Sequence, residues 1–268
     1  MTKNLYIVPY DFTPVTEKAL YYALMLAEKV NIEIQLLHLS DSKEKGIVKR
    51  RELEEFAKTI NVPVGSEVTT LVKIGNIFSD IGRIAKEEKA QLIIMGTHGI
   101  SGLQNLFGSN AMKVVTSAEC PFIVVQKDTE IVPISKVVVP IDLTKESLQI
   151  VSIAGDIANM FKAEIHVIAE KQSDTLLNTR LVNRVSLVKK EYEERNIDPI
   201  IAYVKKSGSY DKKVIQYANE NQCNFIAIAY HSESLLPQFD NFAPNLITNK
   251  SKFPVMILNS KLASALYF

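Results

Sequence analysis

The residues best placed to do chemistry lie in one stretch, Gly96-Thr97-His98-Gly99-Ile100-Ser101-Gly102-Leu103-Gln104-Asn105-Leu106-Phe107-Gly108-Ser109-Asn110. It holds four of the ten glycines of the chain within thirteen residues. Glycines let backbone amides approach an oxyanion closely and take conformations closed to other residues. The stretch follows an apolar run and precedes a helical pattern over 109–118, so Ser109 or Asn110 stands where a helix would be capped. A helix N-terminus offers free N–H groups and the positive end of a dipole, which favour phosphate. Spacing alone leaves two readings open: a phosphate cradle, or a flexible loop with a glycine-assisted cap. No lysine follows Gly108-Ser109, which excludes a P-loop, and the glycines do not follow the first strand, which excludes a dinucleotide fingerprint.

The elements that must position this stretch occur twice. Leu5-Tyr-Ile-Val-Pro-Tyr-Asp11 reads like Val137-Val-Val-Pro-Ile-Asp142, an apolar run ending in proline and then aspartate. Val72–Gly75, Leu92–His98 and Cys120–Val125 lie over Lys205–Gly208, Phe225–His231 and Phe253–Leu258 at one offset of 133 residues. The chain therefore reads as two copies of a unit, over 1–130 and 134–260, with a tail over 261–268. In copy one, continuous apolar runs at about 4–10, 32–39, 66–73, 91–96 and 122–126 suit parallel strands covered on both faces. Copy two repeats them near 135–141, 163–169, 199–204, 224–230 and 254–258. Helical faces lie between them: Leu20, Ala23, Leu24, Ala27 and Val30 form one, and Ile77, Ile81, Ile84 and Ala85 another. Thr13 and Pro14 suit the start of the first helix, and a charged helix is expected over 48–60. Alternation of this kind predicts an α/β class with two tandem doubly wound, Rossmann-like domains, each a five-stranded, mainly parallel sheet between helices. Function belongs at the strand C-termini: Pro9–Asp11, Leu39–Asp41, Ile74–Asn76 and Met95 onward.

On these motifs the chain resembles the universal stress protein family in a tandem two-domain form, over nearly its whole length. ATP-binding members of that family carry Gly-x2-Gly-x9-Gly-Ser/Thr after the fourth strand. Gly96, Gly99, Gly108 and Ser109 match, although only eight residues separate Gly99 from Gly108. The resemblance implies ATP as ligand, with magnesium able to accompany its phosphates. It puts the end of the first strand, Pro9, Tyr10 and Asp11, at the nucleotide, with Asp11 near the adenine and ribose. Backbone groups from His38 through Leu39 to Ser40 would flank the adenine. Met95, Gly96 and Gly99 would line the ribose and phosphates, and Gly108, Ser109 and Asn110 would hold phosphate oxygens. Asp11 has a second reading from its own neighbours, a capping carboxylate before Thr13-Pro14.

Copy two has no glycine over 230–244, and Tyr230 is read as the replacement of Gly96, with Glu233 and Asp240 adding negative charge. Asp142 survives. The second copy is therefore expected to lack nucleotide and to serve as a fixed partner. Pairing of the fifth strands, Phe122–Gln126 with Val255–Asn259, would make an intramolecular pseudo-dimer, as the family commonly does between chains; homodimerisation of the whole chain stays open.

Catalysis is not expected. No motif gives His98 or His231 a carboxylate or nucleophile, the four histidines lack metal spacing, and no Cys-x2-Cys exists. Cys120 and Cys223 read as buried thiols in a reducing cytosol. The mixed-sign run Lys189–Arg195 reads as a solvated helix face. Lys43, Lys45, Lys49, Arg50 and Arg51 stand just after the second strand, where a surface loop or a basic neighbour of the nucleotide would account for them. Of 268 residues, 47% are hydrophobic and Lys plus Arg (31) nearly cancel Asp plus Glu (30), which argues against non-specific nucleic-acid binding. No apolar run approaches the roughly 20 residues of a membrane span, and an early proline and aspartate do not suit a secretory leader. The expected protein is a cytoplasmic ATP-binding sensor or adaptor with an unknown protein partner. The alternative, drawn from the shortened glycine loop, is an interaction scaffold without nucleotide.

Overall fold

Leu5–Val8 is an apolar run closed by a proline, which has no N–H to extend a ladder, and the strand it forms, β1 (Asn4–Pro9), stops there. In the computed structural model, which describes residues 4–97, 109–205, 207–230 and 241–260, the chain divides into two units between Val132 and Pro133. The first continues with α1 (Pro14–Ala27), β2 (Ile32–Ser40), α2 (Lys43–Thr59), β3 (Glu67–Ile74), α3 (Ile77–Glu87), β4 (Leu92–Thr97), α4 (Ser109–Ser117) and β5 (Phe122–Gln126). Its strands are parallel, in the order β3-β2-β1-β4-β5. Strands β1 to β3 build outward on one side. The chain then returns to set β4 on the other side of β1, with Tyr6 opposite Leu92 and Ile7 opposite Ile93. A crevice opens at such a reversal, beyond the strand C-termini.

The second unit repeats the plan with β6 (Lys136–Ile141), a 3-10 turn (Glu146–Leu148), α5 (Ile150–Phe161), β7 (Glu164–Glu170), α6 (Thr175–Glu194), β8 (Ile200–Val204), α7 (Tyr210–Glu220), β9 (Phe225–Tyr230), α8 (Phe242–Ile247) and β10 (Val255–Asn259). Its parallel order is β8-β7-β6-β9-β10. Both units are doubly wound α/β sandwiches, the class expected from the alternating pattern.

The central strands carry the core: Ile7, Val8, Ile34 and Ile93 in the first unit, and Val138, Val139, Val167 and Ile226 in the second, are all fully buried. Along α1, Leu20, Ala23 and Ala27 are buried as their spacing predicts, while Val30 lies beyond the helix end and Leu24 is half-buried. Two expectations need correction. β3 is not covered on both faces; every residue in it is half-buried or exposed, because it borders only β2 and is packed by a helix in which Leu53 is the one buried side chain, beside the buried backbone of Gly46. The charged helix begins at Lys43 rather than near 48, since Ser42 caps it by accepting from the Lys45 N–H at 3.4 Å. The basic cluster Lys43 to Arg51 therefore lies on α2, not in a loop. On α6, Lys189 pairs with Glu193 at 3.5 Å and Lys190 with Glu194 at 3.7 Å, four residues apart on solvent-facing positions. No described helix is long and apolar enough to cross a membrane.

His166 on β7 is almost fully buried. Its Nδ1 lies 3.0 Å from the Tyr217 hydroxyl and its Nε2 3.4 Å from Glu164 Oε2, and Lys136 stands 3.7 Å from the same carboxylate. Burial, the largest cause, lowers its pKa below the ordinary 6.5, against an opposing pull from Glu164. The unfolded chain therefore takes up this proton more readily than the folded one. Stability is expected to fall as pH drops from 6.5 toward the lower folded value, in urea unfolding series. His166→Gln should remove that part of the slope; a slope unchanged by the substitution would contradict the assignment.

Candidate functional site

The ends of β1, β2 and β4 and the first turns of α1 and α3 surround a hollow of about 350 Å³. Val15, Leu37, Leu39, Ile77, Phe78 and Met95 supply apolar surface, and Asp11, Thr16, His38, Asp41, Asn76 and Thr97 supply polar atoms. Among the described residues no lysine or arginine lines it. Of the residues singled out from the sequence, Pro9, Tyr10, Asp11, Leu39, Met95 and Gly96 all border this one hollow. Ser109 begins α4 and Asn110 follows it. The side chains of Ser109 and Asn110, and all of His98, Gly99 and Gly108, lie outside the described residues, as do His231, Glu233, Asp240 and the tail.

Asp11 is held by the chain that follows it. Its Oδ1 accepts from the Thr13 N–H at 3.0 Å, the Thr13 hydroxyl at 2.6 Å and the Thr16 hydroxyl at 3.0 Å. The carboxylate thus closes the turn into α1, the second of its two readings, and all three bonds go to one oxygen. Thr13 is the helix cap, with Pro14 in the first turn. The residue between, Phe12, sits at φ 67°, a left-handed conformation uncommon for a bulky side chain. Its ring meets Tyr10 edge-on at 5.2 Å and lies 4.6 Å beneath Lys49 Nζ. Tyr10 stacks on Phe56 of α2 at 5.1 Å, a contact worth about 1 kcal/mol beyond burial. Burial above all, then the carboxylate of Glu17, pushes the Tyr10 pKa up to about 12, so the phenol stays neutral. His38 donates from Nδ1 to the Tyr10 carbonyl at 2.8 Å, closing off a strand-end acceptor that the ladder leaves open.

On the α3 side, Asn76 caps the helix by accepting from the Phe78 N–H at 2.8 Å, and Asp80 accepts from the Asn76 N–H at 2.8 Å. That amide is the largest cause holding the Asp80 carboxyl below its usual range, ahead of Arg83. These bonds set Ile77 and Phe78 against the hollow. On the β4 side, a Cβ on Gly96 would stand 2.2 Å from the Val15 carbonyl oxygen. Gly96 is therefore required for α1 to start close against β4, whatever a ligand does. Thr97 Oγ1 is buried beside the hollow with no hydrogen-bond partner among the described residues, an uncommon state for a buried hydroxyl. Val15, Thr16, Leu37, Ile77 and Phe78 were not foreseen as site residues. Thr16, three residues after Thr13, is the one whose spacing carried a signal.

The second unit keeps the turn, but the space at its strand edge is divided in two. Asp142 Oδ1 accepts from the Thr144 N–H at 2.7 Å and from its hydroxyl, and Arg184 donates to the Asp142 carbonyl at 3.0 Å. The strand register corrects one expectation: Tyr6 and Val137 are counterparts and pair with Leu92 and Phe225, so Gly96 corresponds to Ala229 and Thr97 to Tyr230. Tyr230 does not stand in place of Gly96. Cys120 is half-buried and Cys223 buried, both free. Among the described residues no three His, Cys, Asp or Glu side chains come together as a metal ion would need.

The model of the universal stress protein family matches the chain twice, over residues 6–126 and 133–259. A universal stress protein of Methanocaldococcus jannaschii is 28% identical over 148 residues, spanning 47% of this chain and 85% of that one. One from Bacillus subtilis is 30% identical over 146 residues, spanning 46% and 99%. Among solved structures, a universal stress protein from Archaeoglobus fulgidus is alike at TM-score 0.75 and 19% identity, covering 97% of this chain and 100% of that one, a likeness of fold.

Gly96→Ala is expected to destabilise the first unit by about 1–3 kcal/mol, the cost of forcing extra volume into a closed contact. Urea unfolding would register it, and a substitution without effect would show that α1 yields freely at Val15.

Proposed function

The chain belongs to the universal stress protein family, and from that premise we propose that its first unit binds ATP at the strand edge while its second does not. One observation carries the reading: the hollow of about 350 Å³ at the β1–β4 reversal, apolar in most of its lining and without a lysine or arginine among the described residues. That volume falls within the range of small-ligand pockets. Its character suits the uncharged nucleoside rather than the phosphates, since an oxyanion about 4 Å from Asp11 or Asp41 would be repelled by about 4 kcal/mol.

In this reading the adenine lies among Leu37, Leu39, Ile77 and Met95, flanked by backbone at Tyr10 and Leu39. Asp11, held through Oδ1, offers Oδ2 to the ribose hydroxyls. The buried Thr97 hydroxyl marks where a further polar contact can be made. The phosphates lead out toward Gly99, Gly108, Ser109 and Asn110, where the start of α4 supplies N–H groups and positive potential, and magnesium would ride on the phosphates. We further propose that nucleotide occupancy biases partner choice in the cytoplasm, as a sensor or adaptor without appreciable turnover. The eight-residue spacing between Gly99 and Gly108 favours one competitor, a scaffold that binds no nucleotide.

Isothermal titration should give one ATP per chain. Asp11→Asn is expected to weaken it about tenfold, the worth of one hydrogen bond to a charged group. 2′-Deoxy-ATP should bind more weakly than ATP to the native chain but equally to Asp11→Asn. Gly108→Val should obstruct the phosphate path. No heat and no thermal shift with millimolar ATP would favour the scaffold.

A further inference from the structure

Resting on the reading that the first unit's hollow takes a nucleoside, we infer that Tyr210, stacked on Phe242, closes the reversal point of the second unit's strand edge to such a ligand. The ring decides this, ahead of any loss of glycines. Helices α3 and α7 are each eleven residues long and begin two residues after a glycine, at Ile77 and Tyr210. These two residues are therefore counterparts. Ile77 borders a hollow that runs unbroken from Met95 and Gly96 at the end of β4 to Gly75 at the end of β3.

In the second unit the same span is cut in two. One part, of about 50 Å³, is bordered by Pro140, Ile228 and Ala229; the other, of about 780 Å³, by Gln172, Ser207 and Gly208. Tyr210 and Phe242 line both parts together with Asp142 and Thr144 of the turn, and the two rings are the bulky members of that partition. Their rings lie 5.5 Å apart at 17°. About 50 Å³ at the reversal point holds one or two waters at roughly 30 Å³ each, and no purine. The outer part is bordered by the carboxylates of Asp142, Glu170 and Asp211, which disfavour a phosphate.

The cause lies in what reaches the strand-edge carbonyls. In the first unit the Tyr10 carbonyl is satisfied by His38 from within β2, which leaves the crevice in front of it free. The register gives His38 the counterpart Ala169, which has no donor. The second unit's edge is reached from across the crevice: the Tyr210 hydroxyl donates to the carbonyl of Ile168, the counterpart of Leu37, at 2.7 Å and lies 3.3 Å from that of Ile141, the counterpart of Tyr10. The side chain that satisfies the backbone is also the one that fills the site.

Adenosine tests this without engaging a phosphate loop. Equilibrium dialysis on the full chain should show Tyr210→Ile binding one equivalent more than the native protein. Tyr210→Phe keeps the ring and should add none, while melting at lower temperature because a carbonyl loses its donor. If Tyr210→Ile folds poorly, adding Ala169→His restores a donor on β7 and should give the same extra equivalent. A cooperatively folded Tyr210→Ile, or its double variant, that binds no more adenosine than the native chain overturns the inference, as does a gain by Tyr210→Phe. The readout is the increment over the native chain, so a native chain without adenosine would sink the first-unit reading and leave this comparison intact.

Discussion

Strand β1 is paired on both sides by parallel neighbours, and its ladder with β2 runs on through the Tyr10 N–H to the Leu37 carbonyl at 2.8 Å, yet carbonyl groups at this edge are also met by side chains. Whatever satisfies those groups determines what the edge can hold. In a closed interior an unpaired carbonyl costs on the order of 1–3 kcal/mol, so it is not left bare. In the first unit the partner is an imidazole rooted in the neighbouring strand, and the crevice stays open. In the second a phenol on the helix opposite bonds the neighbouring Ile168 carbonyl and lies 3.3 Å from that of Ile141, and the crevice is partitioned.

The open edge is also a matter of close approach. Gly96 lets the first turn of α1 rest against β4, and the Asp11 turn fixes how the chain enters that helix. A similar economy acts on the far face, where a Cβ on Gly82 of α3 would meet the Ser117 carbonyl of α4 at 2.1 Å. Both contacts are backbone against backbone, and both fix helices that border or begin at the strand edge. The glycines of the loop after β4 were read for oxyanions; Gly96 and Gly82 have a packing reason that stands with or without a ligand.

Charge supports a division of labour within the proposed site. The hollow is flanked by carboxylates, while the cations nearest to it on α2 are engaged locally, Lys45 with Asp41 at 3.3 Å and Lys49 with Glu52 at 2.7 Å. A neutral ring suits the hollow, and an anionic tail would depend on backbone N–H groups rather than on side-chain cations.

The sequence alone determined the strand–helix alternation, the doubling of the unit and the edge where a site must lie. Those features are periodic or local: apolar runs of five to nine residues mark strands β1, β2, β4 and β5 to within a residue at each end, and proline followed by aspartate marks a strand exit. Edge status was not legible, so β3 read like its buried neighbours although only one strand flanks it. Nor was the partner of a strand-end carbonyl. His38 is one residue past the strand partner of Pro9, whereas Tyr210 lies 69 residues from Ile141, and no spacing rule links a helix start to a carbonyl so distant. Tertiary structure alone decided which side chain reached that oxygen, because hydrogen bonding and excluded volume act through space and not along the chain.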